Sequence, residues 1–389
     1  MELDPLLRRA VEAGASDVHL KVGRPPAFRL DGEVTPLDDG PLSEADLDDA
    51  LRTVTASTPQ RYEQFVETGD LDLAYTSDGL PRFRVNAFRQ RGAVSFAFRL
   101  IPAEVPNFQQ LGLPPGVQAL AEEHRGLVLV TGATGSGKTT TLAAVVDHIN
   151  RSRRSHIVTI EDPIEILHPD HLSIVNQREV GLDTESFAQA LRRALRQDPD
   201  TILIGELRDA ETAQTALQAA ESGHLVLSTM HTIDAAETLG RLVEFFPEAK
   251  QQQMRSITAG VLRGVISQRL LPRVGGGRVA AIEVMINNAR ISDLIRESRP
   301  EEITDAIADG DFFQMQTFQQ ALIGLVTNGA VEAEVAANAA GNRHDFLIAL
   351  ERERKLLALD DEPTPQETGA KHDAAPEPEE PEPAGLRFA

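Results

Sequence analysis

Apolar and polar residues alternate along this chain with two different periods. Between residues 17 and 100, five short segments alternate with a period of two, which predicts strands with one buried face. Ser43, followed three residues later by Asp46, predicts the cap of a helix among them. Beyond Val117, short aliphatic runs, which include a predicted strand from Leu172 to Asn176, instead alternate with stretches of helical periodicity. That second pattern predicts β-α units built on a mostly parallel sheet. The expected fold class is therefore α/β, with a small α+β domain in front of a larger sheet domain.

Changes in composition predict the boundaries of these units. We expect a first domain over residues 1–106 and an interdomain linker over 107–116, where prolines and glycines cluster. The larger domain is expected over 117–359, with a helical C-terminal part and a hairpin around three consecutive glycines, Gly275 to Gly277. Prolines alternate with acidic residues over 360–389, so this tail is expected to be disordered.

A glycine-rich loop follows the first aliphatic run of the larger domain. The run Leu127 to Val130 predicts a buried strand, and Thr140 to Ile149 predicts a helix. Between them stands GATGSGKT, which fits the phosphate-binding pattern G-x-x-x-x-G-K-[ST]. Its backbone N–H groups would cradle phosphates, Lys138 would reach the β- and γ-phosphates, and the Thr139 hydroxyl would ligate Mg²⁺. The predicted nucleotide-binding residues are Gly132, Ala133, Thr134, Gly135, Ser136, Gly137, Lys138, Thr139 and Thr140.

Two further predicted strands end in carboxylates. Glu206 follows the strand Thr201 to Ile204, which is where nucleotide hydrolases place an acid that holds Mg²⁺ directly or through water. Glu161 follows the strand beginning at Ile157 and is the candidate for orienting the attacking water. The alternative for Glu161 is a helix cap or a structural carboxylate.

Histidines and arginines supply weaker signals. His224 and His231 flank one predicted strand, and His231 at its carboxyl end is the better candidate for a γ-phosphate sensor. A zinc site is not expected, because no cysteine or third ligand is nearby. Arg82 and Arg84 share a strand face and are candidates to reach a γ-phosphate, although charged strand faces are usually solvated.

Composition excludes several classes of function. The chain has 389 residues, a net charge of −22 and no cysteine, which rules out disulfides and thiol chemistry. Broad nucleic-acid binding needs a surplus of Lys and Arg, so no nucleic-acid partner is expected. No apolar run approaches the length of a membrane span, and the N-terminus lacks the order of a signal peptide.

Four stretches together resemble a known family. GATGSGKT, IVTIEDPIE, ALRQDPDTILIGELRD and ESGHLVLSTMHT are similar to the Walker A, Asp, Walker B and His boxes of secretion-superfamily ATPases. The similarity runs from about Ala15 to Ala358 and includes ASDVHL and RFRVNAFRQ. Within that superfamily, the chain looks like the retraction ATPases of twitching motility.

The resemblance implies an activity and a set of roles. It implies an ATPase that uses ATP and Mg²⁺, with a PAS-like N-terminal domain, a RecA-like ATPase domain and a homo-hexameric ring. Glu161 would be the catalytic carboxylate, Glu206 would support Mg²⁺ and water, and His231 with His224 would serve the His box. Arg82 and Arg84 would act on nucleotide at a domain or subunit interface. The ring would lie in the cytoplasm against an inner-membrane pilus platform protein, touching the membrane only through that partner.

The branch of the family is indicated by two features. The region between Gln268 and Met285 is short and lacks the four-cysteine insert of assembly ATPases, which favours pilus retraction by pilin depolymerisation. The stretch ARISDLIRE departs from the retraction signature AIRNLIRE at Ser292 and Asp293. Pilus-assembly or type II secretion ATPases, an accessory retraction paralogue, a DNA motor and a non-hydrolysing nucleotide scaffold remain as alternatives.

Overall fold

The protein contains two β-sheets that lie on separate parts of the chain. The structure is a computed structural model that describes residues 2–30, 32–101 and 105–360, with side chains described up to residue 356. Within these residues, one sheet has six strands and the other has seven. The predicted acidic tail beyond Asp360 lies outside the described residues.

Strands and helices succeed one another along the whole described chain. The strands are β1 Asp17–Lys21, β2 Ala27–Leu30, β3 Glu33–Pro36, β4 Asp70–Tyr75, β5 Phe83–Gln90, β6 Ala93–Leu100, β7 Gly126–Thr131, β8 His156–Glu161, β9 Ile174–Glu179, β10 Thr201–Ile204, β11 Leu225–Met230, β12 Leu262–Pro272 and β13 Arg278–Ile286. The helices are α1 Leu3–Glu12, α2 Glu44–Val54, α3 Pro59–Thr68, α4 Phe108–Leu111, α5 Pro115–Ala121, α6 Lys138–Ser152, α7 Phe187–Ala194, α8 Ala210–Glu221, α9 Ala235–Glu244, α10 Glu248–Val261, α11 Ala289–Glu297, α12 Ile303–Ala308, α13 Phe318–Thr327, α14 Ala333–Ala339 and α15 Arg343–Asp360.

The first sheet is antiparallel, in the order β3-β2-β1-β6-β5-β4, with α1, α2 and α3 contributing to its core. The five strands predicted from period-two alternation all form. Because the chain has no tryptophan, phenylalanines fill this core, and the rings of Phe96 and Phe98 stack with centroids 5.5 Å apart. The predicted cap of α2 is also confirmed, since Ser43 and Asp46 form a reciprocal capping box.

The second sheet confirms the predicted α/β class. Its order is β13-β12-β7-β11-β10-β8-β9, and every neighbouring pair is parallel except β12 with β13. One apolar layer lies between the sheet and helices α7 to α12, and the other lies between the sheet and α5 and α6. Strands buried on both faces account for the aliphatic runs in the sequence.

Two segments differ from their predicted form. A strand was expected from Leu172, but β9 begins at Ile174 because the amides of Leu172 and Ser173 donate to the carbonyl of Asn150 instead. The predicted linker contains helix α4, which is capped by Asn107, and most of it is therefore helical or helix-flanking. Helix α5 starts at Pro115, where proline's missing N–H costs no helical hydrogen bond.

The C-terminal helices form a separate cluster on the β12–β13 hairpin. Leu271 and Ala281 of the hairpin pack against Phe318, Leu322 and other buried residues of α13, α14 and α15. Among the described helices, none has an apolar stretch long enough to cross a bilayer.

The contact between β12 and its neighbours predicts a stability difference between two glycines. A Cβ at Gly264 would lie 2.5 Å from the Met285 carbonyl and 2.7 Å from Leu120, whereas one at Gly260, on the exposed face of α10, would meet nothing within 4 Å. We expect Gly264→Ala to lower the free energy of unfolding by about 1–3 kcal/mol. Gly260→Ala should leave it unchanged or raise it by up to about 1 kcal/mol. Urea unfolding followed by far-UV circular dichroism measures both, and equal effects would contradict the tight packing at Gly264.

Candidate phosphate-binding site

The glycine-rich loop lies at the carboxyl end of β7 and has a left-handed backbone at its glycines. Gly132, Gly135 and Gly137 have φ angles of 143°, 78° and 91°. A Cβ at Gly132 would overlap the Gln268 carbonyl, and one at Gly137 would lie 2.9 Å from the Gln268 amide nitrogen. Glycine is therefore favoured by conformation at all three positions, and at Gly132 and Gly137 also by lack of space.

Lys138 begins α6 directly after the loop. Its Nζ donates to the carbonyls of Gly132 and Ala133 at 2.8 and 3.0 Å. Burial lowers the pKa of Lys138, and the nearby carboxylates of Glu206 and Glu165 oppose that shift. The ammonium group thus lies between the loop and two acids, at a helix N-terminus that itself favours anions.

The loop has unsatisfied groups that fit a phosphate. Ser136 Oγ is buried and has no hydrogen-bond partner among the described residues. The loop also borders a cleft of about 270 Å³, whose far side is formed by Ile233, Arg269 and Leu270. A buried hydroxyl, helical N–H groups and an ammonium around one concave loop make a site for a phosphorylated ligand with an organic part.

Gln268 is a site residue that the sequence did not reveal. It lies on β12, is 1% exposed, and its amide Nε2 donates to the Ser136 carbonyl at 2.5 Å. The parallel pairing of Ser267 with Thr131, the last residue of β7, brings Gln268 against the loop. No local signal could have found it, because the contact joins residues 132 positions apart.

Glu206 lies after β10, at the same sheet edge as the loop. It forms an ion pair with Arg208, and His231 Nε2 lies 3.1 Å from its Oε2. Burial acts against the charged form, but Arg208 and His231 together outweigh burial and lower the pKa of Glu206. The carboxylate is therefore ionised at neutral pH, as a group that supports a cation must be.

Glu161 ends β8, beside β10 in the sheet. Its carboxylate accepts hydrogen bonds from Thr159 Oγ1 at 2.6 Å and Gln177 Nε2 at 3.0 Å. Burial raises the pKa of Glu161, and these two hydrogen bonds only partly oppose the rise. A carboxylate that binds protons more readily than usual is suited to act as a general base.

The two arginines of the first domain face carboxylates of the second. Arg82 pairs with the buried Glu179 at 2.7 Å, and Arg84 pairs with Glu165 at 3.3 Å. Glu165 stands four residues after Glu161 and contributes to the field at Lys138. The structure thus places both arginines at the boundary between the two sheets, where they contact acids.

The remaining predicted residues are divided between the site and the rest of the molecule. Thr139 and Thr140 lie on the first turn of α6, with Thr139 exposed towards solvent.

His224 does not lie beside the loop. It precedes β11, its carbonyl accepts from Gly126 at the start of β7, and its ring lies 3.0 Å from Ser222 Oγ and from the Ala219 carbonyl. These contacts lie at the amino ends of the strands, on the opposite edge of the sheet.

Known proteins resemble this chain over most of its length. A family model of type II/IV secretion system proteins matches residues 1–308. The type IV pilus retraction ATPase PilT of Pseudomonas aeruginosa is 44% identical over 347 residues, which cover 89% of this chain and 100% of that protein. The type IV pilus ATPase PilU of the same organism is 40% identical over 351 residues, covering 90% and 91%.

A solved structure extends the similarity to three dimensions. A crystal structure of the pilus retraction motor PilT with bound ADP has a TM-score of 0.82 and 46% sequence identity, over 89% of this chain and 98% of that one. The glycine loop of this chain therefore lies in a fold in which a solved relative holds a nucleotide.

The contact of Gln268 with the loop predicts its effect on nucleotide affinity. In Gln268→Leu, the Ser136 carbonyl loses a buried donor, so the loop loses its support. We expect binding of a fluorescent ADP analogue to weaken about tenfold, which corresponds to ~1.4 kcal/mol. The exposed Gln253→Leu serves as the matched control and should bind normally. Normal affinity in both variants would show that β12 does not support the loop.

Proposed function

The chain belongs to the type II/IV secretion system protein family, and we propose that it is an Mg²⁺-dependent ATPase motor that powers type IV pilus retraction by pilin depolymerisation. The observation that carries this proposal is the glycine loop with Lys138, set at one sheet edge together with Glu161 and Glu206. Similarity to a retraction ATPase over the whole of its length supports the biological direction.

The loop residues would bind the triphosphate of ATP. Ser136 Oγ and the N–H groups at the start of α6 would donate to phosphate oxygens. Lys138 would exchange its bonds to the Gly132 and Ala133 carbonyls for bonds to the β- and γ-phosphates. The cleft bordered by Ile233 and Leu270 would take the nucleoside.

Two carboxylates at neighbouring strand ends would divide the chemistry. Thr139 and Glu206 would hold Mg²⁺, directly or through water, and that ion would neutralise charge on the phosphates. Glu161 would accept a hydrogen bond from the attacking water and orient it, and His231 beside Glu206 would sense the γ-phosphate. His224 belongs to the same implied box, but its ring contacts support only a structural role at the opposite sheet edge.

Arg82 and Arg84 would stabilise the transition state at an interface between domains or subunits. Arginines supplied in this way accelerate comparable reactions roughly 10³- to 10⁵-fold. Their present partners lie across the boundary between the two sheets, where Glu179 is the register partner of Glu161 and Glu165 acts on the charge of Lys138. We propose that the chain works as a homo-hexameric ring, in which nucleotide-dependent exchange of arginine partners is converted into domain rotation.

The surroundings of the motor follow from the same family. We propose that the ring lies in the cytoplasm, peripheral to the inner membrane, and contacts the membrane only through a pilus platform protein. The first domain is proposed to be PAS-like and the second RecA-like, with nucleic acid not among the partners.

The structure bears on the branch of the family. The β12–β13 hairpin is joined by only five residues, Arg273 to Gly277, which leaves no room for a zinc-binding insert.

The two departures in ARISDLIRE lie on α11. The Oγ of Ser292 donates to the Ala259 carbonyl at 2.7 Å, so this side chain contacts the protein itself. Asp293 is exposed and pairs with Arg296. Because Asp293 changes the outward face of α11, an accessory retraction paralogue is the second candidate, and an assembly or type II secretion ATPase is the third.

Variants of the loop and of the metal-supporting acid test the proposed activity. We expect Lys138→Ala to abolish ATP hydrolysis, and Glu206→Gln to bind ATP but to lose at least about 10²-fold in kcat. Phosphate release and binding of a fluorescent ATP analogue measure the two effects separately. Normal turnover of Lys138→Ala would disprove the site.

A deletion of the gene in the organism that encodes it tests the biological direction. Loss of a retraction motor should leave cells over-piliated and immotile, and wild-type protein but not Lys138→Ala should restore motility. An assembly motor would instead leave cells without pili, and an accessory motor would leave motility partly intact.

The raised pKa of Glu161 predicts the pH dependence of hydrolysis. Because the carboxylate is the active form and burial raises its pKa, kcat should fall as pH drops through a value above the ordinary glutamate range. Glu161→Gln should lower kcat by about 10²- to 10⁴-fold and remove this acid limb. The pH–rate profile of Glu165→Gln is the control, and a limb that disappears with Glu165 rather than Glu161 would reassign the base.

A further inference from the structure

Glu283 is a buried carboxylate that the proposed chemistry does not use. It lies on β13 opposite Ser267 of β12 and is 4% exposed. Ser267 in turn contacts Thr131, directly before the glycine loop, through their hydroxyl oxygens at 3.0 Å. A carboxylate in such a position is strongly unfavourable unless donors satisfy it.

The starts of two helices lie beside Glu283. The backbone N–H of Ala235, the first residue of α9, donates to Glu283 Oε1 at 2.9 Å. The start of α13 is held beside it, because Val284, the next residue of β13, and Gln316 exchange backbone hydrogen bonds of 2.9 and 3.1 Å, and the backbone of Phe318 acts to lower the pKa of Glu283. The first N–H groups of a helix have no partner within the helix, so the carboxylate satisfies an orphan donor of α9 and lies near those of α13.

The first of these helices leads back to the nucleotide site. Ala235 follows closely after His231 in the chain, and His231 contacts Glu206. Ile233, which lies between His231 and Ala235 in the chain, borders the cleft beside the glycine loop. If the segment from His231 to Ala235 moves with the state of the γ-phosphate, the start of α9 therefore moves with it.

The second helix leads to the C-terminal cluster. α13 packs with α14 and α15 on the β12–β13 hairpin. Arg269 strengthens this connection, because its guanidinium lies 4.2 Å from the Phe318 ring centroid and donates to the Ala339 carbonyl at 2.6 Å. Arg269 also borders the cleft. The same small region thus contacts the nucleotide site on one side and the C-terminal helices on the other.

We propose that Glu283 is a positioning residue that couples the nucleotide site to the C-terminal helices by anchoring the starts of α9 and α13 together. This inference rests on the proposed ATPase function. In it, a change at His231 is transmitted through α9 to Glu283 and then to α13, so that the C-terminal helices respond to the bound nucleotide.

The charge of Glu283 supports this role. The charged groups that face it are Asp234, which precedes α9, and Arg269 of β12. Burial is the main reason that the pKa of Glu283 is raised to about 7, so both protonation states are populated at neutral pH. The ionised form is the stronger acceptor for N–H groups at helix starts, and the coupling should therefore weaken as pH falls below about 7.

Hydrogen–deuterium exchange of the full chain with and without Mg²⁺ and a non-hydrolysable ATP analogue tests the coupling. In the wild type, we expect the analogue to change exchange both in the glycine loop and in Phe318–Thr327. In Glu283→Gln, the loop should remain protected, but the response of α13 should be lost. The analogue's Kd should stay within about threefold while kcat falls roughly tenfold.

Two further variants make the result decisive. Glu301→Gln, an exposed glutamate, should behave as the wild type. Ala235→Pro removes one donor while keeping the carboxylate, at a helical first position where proline is tolerated, and should reproduce the loss if Glu283→Gln does not fold. An α13 response that is absent in the wild type, or unchanged in Glu283→Gln, would overturn the coupling. Absence of protection in the wild-type loop would instead refute the ATPase proposal.

Discussion

The support that β12 gives to the glycine loop is the contact on which the rest of the site depends. The Gln268 carbonyl occupies the space that a side chain at Gly132 would need, and its amide holds the Ser136 carbonyl. The loop is thus shaped by a strand that also forms the hairpin carrying the C-terminal helices. Phosphate binding and the arrangement of the C-terminal part are therefore properties of one continuous piece of sheet.

The two carboxylates at this sheet edge differ in how their surroundings shift their pKa values. Glu161 and Glu206 end strands β8 and β10, which are neighbours, yet their pKa values are shifted in opposite directions. Burial dominates at Glu161, whereas Arg208 and His231 dominate at Glu206. Carboxylates whose pKa values are driven apart by their surroundings can take different chemical roles at one pH, as the proposed roles of Glu161 and Glu206 require.

Sequence patterns predicted the parts of the molecule that depend on nearby residues. The loop, the acids at strand ends and the Ser43–Asp46 cap are local, and period-two alternation located five of the six strands of the first sheet, all but β3. Gln268 could not be found in this way, since its contact exists only when β12 pairs with β7. The start of β9 was predicted too early, because the carbonyl of Asn150, on α6, accepts hydrogen bonds from the amides of Leu172 and Ser173. Strand position predicted that Glu161 and His231 lie at the same sheet edge as the loop, whereas His224, which shares a motif with His231, lies at the other edge.

The pair formed by Arg82 and Glu179 has a consequence for how the two sheets can move. Glu179 is 4% exposed and lies on β9 directly beside Glu161 of β8. If the first sheet moved away, Glu179 would lose its cation, and a buried carboxylate would remain beside Glu161 until another cation replaced Arg82. Arrangements of the two sheets in which no cation reaches Glu179 are therefore electrostatically unfavourable.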